Sequence, residues 1–207
     1  MGSKTSLPVA EATVTHWPKT GLRVAFGLIW LIDAILKWLP GFRASYMDTI
    51  MGQAEGQPGW LQPWFRFWID LQHPDSAFFA YLVATIETLI AVALIVGFAR
   101  KSTYIAAIVF SLLIWSTAEG FGGPYTSGSA DIGTAILYAL VFAALLTFSY
   151  YQGTAPYSAD AWLERRIGRW HWVAEVGHHH PAASAALDQG VTARASIVAT
   201  PPRRKPA

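Results

Sequence analysis

Cysteine is absent from the chain. That removes disulfides, thiolate metal sites, iron–sulfur ligation and a cysteine nucleophile together. Charge is also scarce. Asp, Glu, Lys and Arg make up 14% of the 207 residues, while hydrophobic residues reach 53%; soluble domains carry about 25% charged residues. The formal net charge is +2, so bulk charge offers nothing for a nucleic-acid partner. No histidine falls within a long apolar run. Axial haem ligation inside such a run therefore lacks its usual ligand. The first twenty residues are mixed, and no small-x-small site follows the first apolar run, so no cleaved signal peptide is expected.

What the chain has is oily runs. A membrane helix needs roughly 20 mostly apolar residues. Four runs fit: 21–39, 77–99, 102–118 and 132–150. The rival reading is four core helices of a soluble protein, which the charge deficit opposes. The expected fold class is all-α: a four-transmembrane-helix bundle over 21–150, with 1–20 as an N-terminal cytoplasmic segment. Lys4, Lys19, Arg23, Arg100, Lys101, Arg165, Arg166 and Arg169 fall on one side, and Lys37, Arg43 and Arg66 on the other. The basic side is cytoplasmic, so both termini are expected there, in a multi-pass protein of the plasma membrane.

The connections differ in character. Residues 40–76 are too long for a bare loop. Pro63 suits a helix start, and Trp64, Phe67, Trp68 and Leu71 recur at helical spacing. This predicts an interfacial amphipathic helix, preceded by a shorter one near 44–51. It serves either as a lid over the bundle or as an anchor. Residues 119–131, EGFGGPYTSGSAD, are Gly-rich but lack the spacing and Lys of a phosphate loop. They read as a turn with an acid at each end. After the fourth run, 151–177 predicts an amphipathic interfacial helix, best developed over 158–177, with Arg165, Arg166 and Arg169 toward anionic headgroups. Residues 178–207 read as a disordered tail. The His178–His180 run could hold a metal only weakly, and no metal site is expected.

The first run, LIWLIDAILKWL at 28–39, holds Asp33 and Lys37. A charge at mid-bilayer costs roughly 2.5–3.5 kcal/mol on insertion scales. Such a group persists when it is paired, turned inward or at work. Asp33 and Lys37 lie four apart and can pair; Arg23 falls near the same helix face. Glu87 lies about 15 Å into the second run at 1.5 Å per residue, near the midplane. Glu119 and Asp131 flank the outer turn. The expected site therefore gathers Glu87 and Asp33 as proton-handling groups with Lys37, Arg23, Glu119 and Asp131 as ligand-binding ones. Arg43 is a candidate second base. Thr85, Thr88, Ser116, Thr117 and Thr134 are candidate hydroxyls. The bland alternative is that these charges only hold the helices together.

The pattern resembles the DoxX/DoxD family of small four-helix membrane proteins over about 21–167. In the first run Arg23, Gly27 and Lys37 are similar to the family's opening. In the second, ETLIAVALIVGFARKS carries Glu87, Gly97 and Arg100. After the fourth, YSADAWLERR carries Tyr157, Ser158 and Asp160. Where the family has Gly–Pro–Gly just before, this chain has GTAP. The resemblance implies association with membrane oxidoreductase complexes. DoxD-type members are subunits of thiosulfate:quinone oxidoreductase, others are accessory to redox-stress complexes, and many have no assigned activity. The reading is a redox subunit binding quinone, with no covalently bound cofactor and with electrons supplied by a protein partner in the bilayer. Homo-oligomerisation is compatible with it. The alternatives are a non-catalytic assembly subunit or a small transporter.

Overall fold

The computed structural model describes residues 17–125, 131–152, 158–167 and 169–175, all within one compact unit, Met1–Val176. Most of the N-terminal segment, the middle of the outer turn, Tyr157 and the tail with His178–His180 lie outside the described residues.

Among the described residues every regular element is helical. They are α1 (Trp17–Lys37), α2 (Pro40–Ala54), α3 (Gln62–Gln72), α4 (Ser76–Val96), α5 (Arg100–Ser116), α6 (Thr134–Gln152), α7 (Ala159–Glu164) and α8 (His171–Ala174). The four long apolar runs become α1, α4, α5 and α6, each displaced a few residues from its expected ends. Pro40 opens α2, where its fixed φ suits a first turn and its missing N–H costs nothing; the helix therefore starts earlier than the expected 44. The Asp75 carboxylate accepts from Phe78 N at 3.2 Å and caps α4. Gly97 ends α4 in the left-handed region, with φ 71°. There the Gly97 and Phe98 N–H groups both donate to the Ala93 carbonyl.

Two helical stretches, Gln62–Val96 and Thr134–Tyr151, are long and apolar enough to cross a membrane. Helix α5 has 17 residues and begins with Arg100 and Lys101, and α1 carries Lys19, Arg23, Asp33 and Lys37 along its length.

Helix α1 packs on α4 and α5 on α6, and one core joins all four. Phe26 and Trp30 meet Phe142 edge-on, at 5.0 and 5.2 Å between ring centroids. Ile90, Ala91 and Leu94 of α4, Tyr104 and Ala107 of α5 and Leu145 of α6 complete it. On the other side of these helices Ile32, Leu89 and Leu140 are 63%, 64% and 61% exposed. Apolar surface of that extent on several helices suits lipid and opposes the soluble-core reading. A second, smaller cluster sets Tyr46 and Ile50 of α2 against Ala80 of α4. The 40–76 connection is thus mainly two helices packed beside the start of α4.

The single amphipathic helix expected over 158–177 is not formed. Two short helices, α7 and α8, replace it, because the Trp170 indole N–H donates to the Asp160 carboxylate at 2.9 Å. In a straight helix, residues ten apart would stand about 15 Å from each other. The chain folds back to satisfy the buried acid.

Candidate functional site

Lys37 ends α1 pointing between two acids. Its Nζ lies 3.1 Å from Asp33 Oδ1, across one helical turn, and 3.6 Å from Glu87 Oε2 on α4. Asp33 and Lys37 are partly exposed, whereas the Glu87 side chain is 1% exposed. At 3.6 Å the Lys37–Glu87 contact is an ion pair and no hydrogen bond. Glu87 Oε2 is buried with no hydrogen-bond partner among the described residues. The ammonium also stands 5.4 Å from the centre of the Phe42 ring, a cation–π distance.

Lys37 and Glu87 of this triad line a cavity of about 230 Å³. Helices α4 and α5 form its walls, through Val83, Ile86, Phe110 and Leu113, and α2 and α3 cover it. Ala91 and Leu94 of α4 share a core with Tyr104 and Ala107 of α5, and α2 and α3 line the cavity beside α4 and α5. Tyr46 of α2 donates its hydroxyl to Gln72 Oε1 of α3, tying the two covering helices together. Burial pushes the Tyr46 hydroxyl up to about 12, so it stays a donor at any physiological pH. Trp64 of α3 donates its indole N–H to the Ser116 carbonyl at 2.9 Å, fixing the cover to the end of α5. Trp68, one turn on, lines the cavity.

The other predicted residues lie elsewhere. Arg23 shares a helix face with Asp33 but not its depth. Its guanidinium donates to the Leu94 and Ile95 carbonyls at the end of α4, where a cation also meets the negative end of the helix dipole. Glu119 accepts from Ala135 N through both oxygens, at 3.2 and 2.9 Å, in the first turn of α6. Asp131 accepts from Gly133 N at 2.8 Å. These two acids shape the outer turn and do not reach the cavity. Arg43 donates to the Trp38 carbonyl at 3.0 Å and stacks on Tyr81, so it is no second base for Glu87. Thr88 accepts from the Trp38 indole at 3.0 Å, and Thr117 lines the cavity. Tyr138 of α6 packs its ring on Phe26 and Trp30, at 5.5 and 5.8 Å between centroids. Among the described residues no cluster of three or more His, Asp or Glu is placed to hold a metal.

A second charged centre sits at the opposite end of these helices, and Arg23, Gly27, Gly97, Arg100, Ser158 and Asp160 of the family-like residues meet there. Asp160 is fully buried. It accepts from Ala99 N at 2.6 Å, Arg100 N at 3.1 Å and Arg100 Nε at 2.8 Å, and its own N–H donates to the Gly97 carbonyl at 3.1 Å. The carboxylate thus caps α5 and pairs with its first residue. Gly27 lets α1 approach α4: a Cβ there would meet Leu94 Cβ at 2.9 Å and the Ile95 backbone N at 3.2 Å. Gly97 is confined as well, since a Cβ would lie 2.5 Å from Arg23 Nη1 and 2.8 Å from Ser158 Cβ. Arg23, Gly27, Gly97, Arg100 and Asp160 are one structural unit, which fastens α1, the α4–α5 turn and the segment after α6.

No curated protein and no solved structure matches the chain. Residues 19–120, which span α1 to the end of α5 and the start of the outer turn, match the family described as DoxX. With its exposed apolar helices and this match, the chain belongs to the DoxX family of membrane proteins.

Proposed function

We propose that the chain is the membrane subunit of a quinone-linked redox complex, crossing the plasma membrane four times with both termini in the cytoplasm. The observation that carries the reading is the apolar cavity lined by Lys37 and by Glu87, one of whose oxygens has no hydrogen-bond partner among the described residues. Small-molecule sites are mostly apolar with a few placed polar groups, at roughly 300–1,000 Å³. A cavity of about 230 Å³ suits a ring headgroup whose apolar tail continues along the helices.

Reduction of a quinone to a quinol takes two electrons and two protons. The electrons come from a protein partner, in keeping with the family's association with oxidoreductase complexes. Lys37 stabilises negative charge developing on the ring oxygen. Glu87 passes protons to it, and Asp33, more exposed, passes protons to Glu87. Arg23, Glu119 and Asp131 have no part in this site.

The test is titration of the detergent-purified chain with a decyl-substituted benzoquinone, alongside extraction of bound quinone. Saturable binding is expected, and it is lost in Ile86→Trp, which fills the cavity. In the isolated complex Glu87→Gln abolishes quinone reduction while leaving assembly intact. Full activity in that variant would favour the second reading, a non-catalytic assembly subunit, which the close Asp33–Lys37–Glu87 grouping also suits.

A further inference from the structure

The described residues within 158–175 sort their charges by exposure. Asp160 is fully buried, and Glu164 and Glu175 are partly buried, whereas Arg165, Arg166 and Arg169 are all exposed. Among the described residues no salt bridge joins these arginines to an acid. The Arg166 guanidinium instead lies 4.4 Å from the centre of the Trp162 ring, a cation–π distance. Trp162, Ile167 and Trp172 are themselves 49%, 46% and 70% exposed. The surface of α7 and α8 is therefore cationic and apolar at once. Its place in the fold says what it meets. The Asp160 N–H donates to the Gly97 carbonyl, and the Trp170 ring stands 5.3 Å from that of Phe98, so the segment is fixed where α4 ends. The stretch Gln62–Val96, apolar enough to cross a membrane, ends at the same point, and the other such stretch ends at Tyr151, shortly before Ser158.

We propose that α7 and α8 form a docking platform for anionic phospholipid headgroups. Arg165, Arg166 and Arg169 hold the phosphates, and Trp162, Ile167 and Trp172 enter the boundary between headgroups and acyl chains. A surface fixed at the end of a membrane-crossing stretch lies at headgroup level, where Trp is enriched. An acidic protein would also suit the arginines, but that position favours lipid. The platform is no floating amphipathic helix. Asp160 accepts from Ala99 N, Arg100 and the Trp170 indole, so the surface that meets the headgroups is fastened to the α4–α5 turn. This proposal is independent of what fills the Lys37–Glu87 cavity.

The test reconstitutes the full chain in mixed phosphatidylcholine and phosphatidylglycerol vesicles and follows spin-labelled lipids by electron spin resonance. The wild type should retain labelled phosphatidylglycerol in preference to labelled phosphatidylcholine, and high salt should weaken that preference. One arginine near an anionic surface contributes roughly fivefold. The triple variant Arg165→Gln, Arg166→Gln, Arg169→Gln should therefore lose most of the preference. Arg66→Gln, at an exposed arginine of α3, should keep it. An undiminished preference in the triple variant would overturn the proposal and leave the arginines to an acidic protein; an equal loss in Arg66→Gln would overturn it too. Depth gives a second measurement, because the chain has no cysteine of its own. A nitroxide on Ile167→Cys should be reached by both oxygen and a water-soluble nickel reagent, as at headgroup level. A label reached by the nickel reagent alone would place the segment in water and sink the proposal.

Discussion

Lys37 and Glu87, fifty residues apart in sequence, bring ammonium and carboxylate within 3.6 Å across the α1–α4 packing. Removing one partner of a buried pair leaves an uncompensated charge and costs about 3–5 kcal/mol, whereas replacing both is far milder. Lys37→Met should therefore destabilise the chain in detergent markedly, even though Asp33 has solvent access. Lys37→Met combined with Glu87→Gln should recover most of the loss. Thermal unfolding of the two single variants and the double variant measures the coupling; additive losses would show that the two groups do not interact.

Asp160 makes a parallel prediction for the α4–α5 turn. It satisfies two backbone N–H groups and the Arg100 guanidinium at once, and Trp170 folds back onto it. Asp160→Ala should cost about 3 kcal/mol or more and release residues 158–175 from the α4–α5 turn. Hydrogen exchange at Ala161 and Ala174 should rise sharply. Binding at the outer cavity should change little, since no Asp160 contact reaches it.

The glycine contacts are testable by size. Gly27→Leu places a side chain where even a Cβ meets Leu94 at 2.9 Å. Overpacking of this kind costs about 1–3 kcal/mol, and α1 should separate from α4. Gly97→Ala adds strain at a positive φ to the clash with Arg23. Both variants should lower the unfolding midpoint in detergent. A midpoint unchanged in Gly27→Leu would mean that the helices pass farther apart than described.

The triad was legible because charges are rare in apolar runs. Asp33 and Lys37 stand one turn apart, and Glu87 sits at mid-depth, so three of the six expected site residues do converge. Arg23 misled because a helical wheel records angle and ignores rise: ten residues separate it from Asp33, about 15 Å along the axis. Glu119 and Asp131 were expected in the site because they border the same end of the bundle. Yet first-turn N–H groups of α6 and the turn itself take them first. Tyr46, Gln72 and Trp68 could not be placed from sequence. Their roles come from how α2 and α3 fold back over the α4–α5 gap, a tertiary relation that periodicity does not encode. The 158–177 segment has helical periodicity, and the pull of one buried carboxylate overrode it.

Tyr46→Phe probes the cover. Its hydroxyl binds Gln72 across α2 and α3, and the change leaves the Gln72 oxygen buried without that donor. The loss should be about 1–3 kcal/mol, concentrated in the cover. Hydrogen exchange should quicken in α3 and stay unchanged in α6. Uniform acceleration in both would mean that the bond supports the whole bundle.

The missing cysteines make orientation directly measurable, because any thiol introduced is the one that reacts. Glu55, just past α2, and Ser102, at the start of α5, are both exposed and lie at opposite ends of the bundle. The basic residues cluster with Ser102, so the positive-inside rule puts that end in the cytoplasm. Glu55→Cys should react with a membrane-impermeant maleimide in intact cells. Ser102→Cys should react only after the cells are opened. The reverse pattern would turn the protein over, placing the Lys37–Glu87 cavity near the cytoplasmic surface.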